Sequence, residues 1–104
     1  FLDEPLIDDD SWKKTFGSPD GVEMLNDAIA ALSTGLDWNH DSLKLCIEAT
    51  GAARGLKLGK AQAPIRVAVT GRTIGPPLFE ALELMGEEQV MKRLRAAAER
   101  LASA

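Results

Sequence analysis

The chain has 104 residues, 45% hydrophobic and 27% charged, with a formal net charge of −4. That length suits one domain that removes roughly two thirds of its unfolded surface from water. A single cysteine, Cys46, excludes an internal disulfide, and with no long apolar span, signal peptide or Cys/His cluster the sequence points to a reducing, cytoplasmic setting without a membrane partner.

In chain order, Phe1 to Leu6 read as extended, and Asp8, Asp9, Asp10 and Ser11 start a short helix that carries Trp12. Ser18, Pro19 and Asp20 form the next start signal. Val22, Leu25, Ile29 and Leu32 then recur at steps of three and four until Gly35 ends an amphipathic helix. Asn39 or Asp41 caps a further helix, whose Leu43, Cys46, Ile47 and Thr50 share a face before Gly51 and Gly55 loosen it. Pro64 suits a helical first turn and Gly71 the position just past a helix end, which predicts a helix of barely two turns between them. Ile65 to Val69 also has the β-branched composition of a strand, although it is short and lies between helical signals. Gly75, Pro76 and Pro77 restrict the backbone before Leu78, Phe79 and Leu82 resume a helical spacing. After Gly86, Glu87 and Glu88 complement the positive end of a last helix, with Val90, Leu94, Ala97 and Leu101 as its apolar stripe. Helix on helix is the layer solution left, an all-α compact bundle of about five or six short helices.

The net charge hides a division. Residues 1–50 set three lysines against eleven acids and carry −8, whereas residues 51–104 set nine Lys or Arg against five Glu and carry +4. Local field rather than total charge steers a polyanion, so the second half is suited to phosphates, with the acids expected on the far side.

Catalytic constellations are weak. His40, the one histidine, lies between Asp37 and Asp41 but reads as a surface residue at a helix start, and Cys46 on an apolar face reads as a structural thiol. The aspartates at 8–10 lack the spacing and glycine of a calcium loop, and no G-x-x-x-x-G-K-[ST] loop is present. No catalytic or metal-ligating residue is assigned.

The stretch P-I-R-V-A-V-T-G-R at Pro64 to Arg72, followed by P-P-L-F-E-A-L-E-L-M-G-E-E-Q-V-M-K-R-L from Pro76 to Leu94, resembles the C-terminal end of bacterial glutamyl-tRNA synthetases, which are class I aminoacyl-tRNA synthetases. The resemblance takes in Trp38, the run Asp41 to Ala53 and G-L-K-L-G-K at Gly55 to Lys60, and so covers most of residues 36–104, with residues 1–35 matching loosely. It implies helix rather than strand for Ile65 to Val69. It further implies that residues 1–104 are a C-terminal helical anticodon-binding subdomain, a fragment of a longer synthetase. The parent would ligate glutamate to tRNA with ATP and Mg held in a catalytic part before Phe1, where the H-I-G-H and K-M-S-K-S type signatures would lie. The fragment would carry no cofactor and catalyse nothing by itself. Its partners would be the tRNA anticodon loop and the preceding helical subdomain of the same chain, and it would act as a monomer.

Unpaired bases offer their edges to arginine and backbone groups and their faces to aromatic or apolar side chains. With five aromatics, Phe1, Trp12, Phe16, Trp38 and Phe79, stacking is a minor expectation and Arg66 and Arg72 with Pro76, Pro77 and Leu78 carry the contact. By resemblance, Arg66 matches the arginine that reaches anticodon bases, and Gly75, Pro76 and Leu78 match the corner on which bases pack. The structural readings stand beside these: Arg66 paired with Glu80 or Glu83, Arg72 a solvated turn cation, Leu78 and above all Phe79 in the core, Trp12 and Trp38 packing anchors, and Lys92, Arg93 and Arg95 a solvated helix face. The rival function is a helical protein-interaction module with an acidic docking face.

Overall fold

The computed structural model describes residues 7–35, 37–73, 75 and 77–103; the extended reading of Phe1 to Leu6 and the site residue Pro76 fall outside them. Asp8 opens the first helix, α1 (Asp9–Phe16), by accepting from the Ser11 N–H at 3.0 Å and its hydroxyl at 2.7 Å. Ser18 is the N-cap of α2 (Pro19–Leu32), with Pro19 at the first helical position, where its missing N–H removes no helical bond. Of the two candidate caps for α3 (His40–Ala53), Asn39 is the one used, its side chain accepting from the Ser42 N–H at 2.9 Å. The α3 exit is a Schellman turn: the Leu56 N–H donates to the Gly51 carbonyl at 2.8 Å and the Gly55 N–H to that of Ala52 at 3.0 Å.

The fourth helix corrects a sequence expectation. α4 (Leu58–Thr70) is 13 residues long and holds Pro64 in its interior, where the sequence predicts a helix of barely two turns beginning at that proline. Every residue from Pro64 to Val69 is buried, because α4 packs on α1, α2, α3 and, through its last turns, α6 (Glu87–Ser103). The stretch from Pro64 to Val69 is covered on every side, so no polar stripe marks its period, while the first turn of α4 exposes Gly59 and Lys60. The same packing holds the proline: an interior proline costs about 3 kcal/mol, whereas burying Ile65, Val67 and Val69, all fully covered, contributes about 1.5–3 kcal/mol each.

Gly51 shows how close the approach is. It lies inside α3, and a Cβ at that position would stand 2.4 Å from the Ala61 Cβ of α4. Its part is therefore in the α3–α4 contact, and the helix ends three residues later at Arg54 and Gly55. α5 (Leu78–Met85) is separated from α6 by Gly86 and packs on α3 and α6. Trp38 ties the loop before α3 to α5, its Nε1–H donating to the Leu82 carbonyl at 2.8 Å. Trp12 packs its ring 4.6 Å from that of Phe16, and the Arg100 guanidinium of α6 lies 4.2 Å from the Trp12 ring centroid. Both tryptophans are thus packing anchors. The six helices, with no strand among the described residues, have a radius of gyration of 12.3 Å, as a packed domain of this size requires.

The acids do not gather on a separate side. Arg54 donates to Glu23 at 2.7 Å and to Asp27, Arg100 lies 3.9 Å from Asp9, and Asp8 stands near enough to Arg72 to feel its charge. The division of charge along the chain is partly cancelled in space, because α1 and α2 fold against the basic second half. No helix among the described residues is long and apolar enough to cross a membrane.

Candidate nucleic-acid interface

The end of α4 is fastened from four directions. The Gly71 N–H donates to the Val67 carbonyl at 2.8 Å with Gly71 at φ 82°, ψ 1°, the left-handed conformation that ends the helix. Its carbonyl accepts from the Asp8 N–H at 2.8 Å, which pins the start of α1 to the same corner. The Thr70 hydroxyl donates to the Arg66 carbonyl at 2.7 Å and accepts from the Arg72 N–H at 3.3 Å. Arg93 of α6 donates from Nη1 to the Val69 carbonyl at 2.8 Å, placing a cation where the helix dipole is negative. Arg93 is therefore part of the scaffold, contrary to the solvated face expected for it. A side chain in the left-handed region costs about 1–2 kcal/mol, so Gly71→Ala is expected to lower the unfolding free energy by about that amount in a urea titration, with little change in the slope.

Arg66 is set by this frame. The residue is 9% exposed, with a shaft packed inside the bundle and a head that reaches the exposed turn at Gly75, where a Cβ would stand 3.3 Å from Nη1. The glycine gives the guanidinium its space. The Glu83 carboxylate accepts from the His40 backbone N–H at 2.7 Å and contacts His40 Nδ1 at 3.0 Å. Arg72 is exposed on the corner. The Asp8 carboxyl beside it is held below the usual carboxylate range, first by the Ser11 hydroxyl, then by the Ser11 N–H, with a smaller push from Arg72.

Leu78 is placed differently from the expectation of a base-packing surface. It is 2% exposed and belongs to the core, while Phe79, for which the core was preferred, is half-buried at its edge. The physical reason is the helix start: Pro77 at the N-cap turns α5 inward at its first residue. Pro77 has no side-chain oxygen to cap the first-turn N–H groups of α5. Arg66, Arg72, Gly75 and the start of α5 thus share one end of α4, with Leu78 as its anchor rather than its surface. The Asp8–Gly71 bond, which no local sequence signal announces, is the contribution of the acidic half.

Other titratable groups explain themselves. Burial pushes the Cys46 thiol up, with a smaller opposing effect from Thr50, as fits a structural role. His40 is raised from its ordinary 6.5, chiefly by its hydrogen bond to Glu83 and then by Asp41, and Glu83 is lowered from its ordinary 4.5, chiefly by the His40 backbone N–H. A raised histidine stabilises the fold below its ordinary value and loses that contribution as pH rises through its folded value; a lowered glutamate contributes above its ordinary value and loses it as pH falls through its folded one. The pair contributes most between the ordinary values of 4.5 and 6.5. The melting-temperature difference between the native chain and His40→Gln is accordingly expected to be larger at pH 5.5 than at pH 8. Equal differences at both would refute the pair.

The anticodon binding domain family model matches residues 1–98. The chain belongs to that family. The match extends through the first 35 residues, which the sequence resemblance covered loosely. The chain is 54% identical over 105 residues to the glutamate–tRNA ligase of Thermobifida fusca, spanning 100% of this chain and 22% of that protein. It is 56% identical over 102 residues to that of Salinispora tropica, spanning 97% of this chain and 22% of the relative. A crystal structure of a glutamate tRNA ligase from Elizabethkingia meningosepticum, in complex with its amino acid, superposes with a TM-score of 0.81 at 29% identity, over 89% of this chain and 18% of that one. The anticodon-binding chain spans about a fifth of the length of the curated relatives it matches.

Proposed function

We propose that this anticodon-binding domain reads the anticodon loop of glutamate tRNA on behalf of a longer glutamate–tRNA ligase, through the corner formed by Arg66, Arg72, Gly75 and the start of α5. The observation that carries the reading is the seat of Arg66: a guanidinium fork on a buried shaft, with a glycine beside its head. A fork fixed in this way meets the edge of a splayed base at little entropic cost, which a mobile surface arginine does not. The first-turn N–H groups of α5, which Pro77 does not cap, supply donors for a neighbouring base, Phe79 supplies an apolar edge, and Arg72 supplies a cation for the strand. Ligation itself, with its ATP and Mg, is proposed for the rest of such a protein in the cytoplasm, and the adjoining helical part is proposed to bear on the exposed Leu84 and Leu45.

The protein-docking alternative is not favoured. Part of its acidic face is engaged within the chain, with Glu23 and Asp27 on Arg54, Asp9 facing Arg100 and Asp8 in the corner.

Gly75→Ala tests the seat of Arg66. The new Cβ would press on the end of a flexible side chain, so the fold should tolerate it while the fork moves by a few tenths of an ångström. Titration of anticodon stem-loops is expected to show an unchanged melting temperature and a reduced ratio of affinities between the glutamate stem-loop and one with an altered anticodon. An unchanged ratio would refute the role of the fork.

A further inference from the structure

A cavity of about 340 Å³ opens between the end of α1, the start of α2 and the middle of α4, and Thr73 of the corner lies in its rim. Two cations, Lys14 and Lys60, line it together with the hydroxyls of Thr15, Ser18 and Thr73 and one carboxylate, Asp20. Among the described residues, neither lysine takes part in a salt bridge. The Ser18 hydroxyl oxygen accepts no capping bond from its own helix, so it remains available as an acceptor. Leu56, Ala63 and Pro64 complete the wall with apolar surface.

This set of groups has a definite complement. Two ammonium groups against one carboxylate leave a single positive charge, which suits a singly charged phosphodiester better than a doubly charged phosphate monoester. The free acceptor suits a ribose 2′-hydroxyl, and the apolar wall suits the sugar ring. Thr73 follows Arg72 directly, so a strand lying on the corner reaches the cavity without leaving the protein surface.

We propose that this cavity holds a ribose–phosphate unit of the tRNA strand next to the anticodon, with Lys14 and Lys60 on the phosphate and the Ser18 hydroxyl oxygen on the 2′-hydroxyl. The inference rests on the RNA reading of the Arg66 corner and extends it from bases to backbone. The cavity contributes affinity and salt dependence, and the corner contributes discrimination.

The test is a titration of the whole chain with anticodon stem-loop RNA across a range of salt. Lys14→Gln/Lys60→Gln is expected to reduce the slope of log affinity against log salt by about 1, as loss of one phosphate contact requires, and to leave the ratio between glutamate and altered stem-loops unchanged. Lys44→Gln, an exposed lysine of α3 outside the cavity, serves as the control and should leave the slope as it was. Amide shifts at Thr15, Ser18 and Thr73 should follow the RNA titration and shrink with a 2′-deoxy strand. If the native chain binds and discriminates while the double variant keeps the native slope, or Lys44→Gln matches its loss, the cavity is off the RNA path and this inference falls alone. Inorganic phosphate that moves the same three amides in the absence of RNA would make this a small-anion pocket and overturn it. A native chain that does not distinguish the stem-loops would overturn the function proposed above, and this extension with it.

Discussion

Arg66→Ala is expected to collapse most of the preference for a glutamate anticodon stem-loop, by about 10- to 100-fold, which corresponds to the roughly 1–3 kcal/mol of discrimination supplied by a bidentate base contact. Affinity for altered stem-loops should change far less, since a mismatched base gains little from the fork. Arg66→Lys separates geometry from charge: a lysine keeps the positive charge but presents a point donor instead of a planar fork, so discrimination should fall nearly as far while the salt slope stays constant. Because Arg66 is 9% exposed and packs within the bundle, the alanine variant also removes buried apolar shaft. Its melting temperature should drop by a few degrees, and all titrations belong well below that temperature. Equal losses on glutamate and altered stem-loops would leave Arg66 as scaffold and end the base-reading role.

Much of the fold was legible because its helices announce themselves locally. Asp8, Ser18 and Asn39 each occupy an N-cap, and the acidic first turn of α6 marks its start. The boundaries that failed lack such marks. α4 begins after Lys57, whose side chain makes no capping bond, and its proline imitates a first helical residue while sitting in the interior. Burial of the run from Pro64 to Val69, not propensity, keeps the proline inside that helix. The site divides in the same way. The order of residues from Pro64 to Leu78 carried the family likeness, whereas the work of each residue depended on contacts distant in sequence. Arg93 reaching the Val69 carbonyl, Asp8 reaching Gly71 and Glu83 turning toward His40 have no period or motif that signals them. For Leu78 the apolar character was plain, but its direction, into the core, follows from the turn imposed at Pro77.

The largest stability effect is expected at Gly51. In an exposed helix, replacing glycine gains up to about 1 kcal/mol of helix propensity; here the sign should reverse. A Cβ at this position would stand 2.4 Å from that of Ala61, a separation that carbon atoms do not sustain, so α3 and α4 must part. Gly51→Val adds two further methyl groups to the same contact, and overpacking of this kind costs about 3 kcal/mol. For a domain near 100 residues that corresponds to a fall of about 12–20 °C in melting temperature. The cause is checked by a cycle with Ala61→Gly, which removes the opposing methyl: the double variant should recover part of the loss, giving a coupling of about 1 kcal/mol or more, whereas additive effects would show that the strain lies elsewhere. The cycle also tests whether stability and reading are separable. Ala61 precedes Pro64, while Arg66 follows it and is held through Thr70, Gly71 and Arg93 at the far end of α4. Pro64 removes one helical hydrogen bond between the two halves, so the second half can hold its place when the first is displaced. Gly51→Val should therefore retain its ratio of affinities between glutamate and altered stem-loops at temperatures where it is folded, even as its margin of stability shrinks.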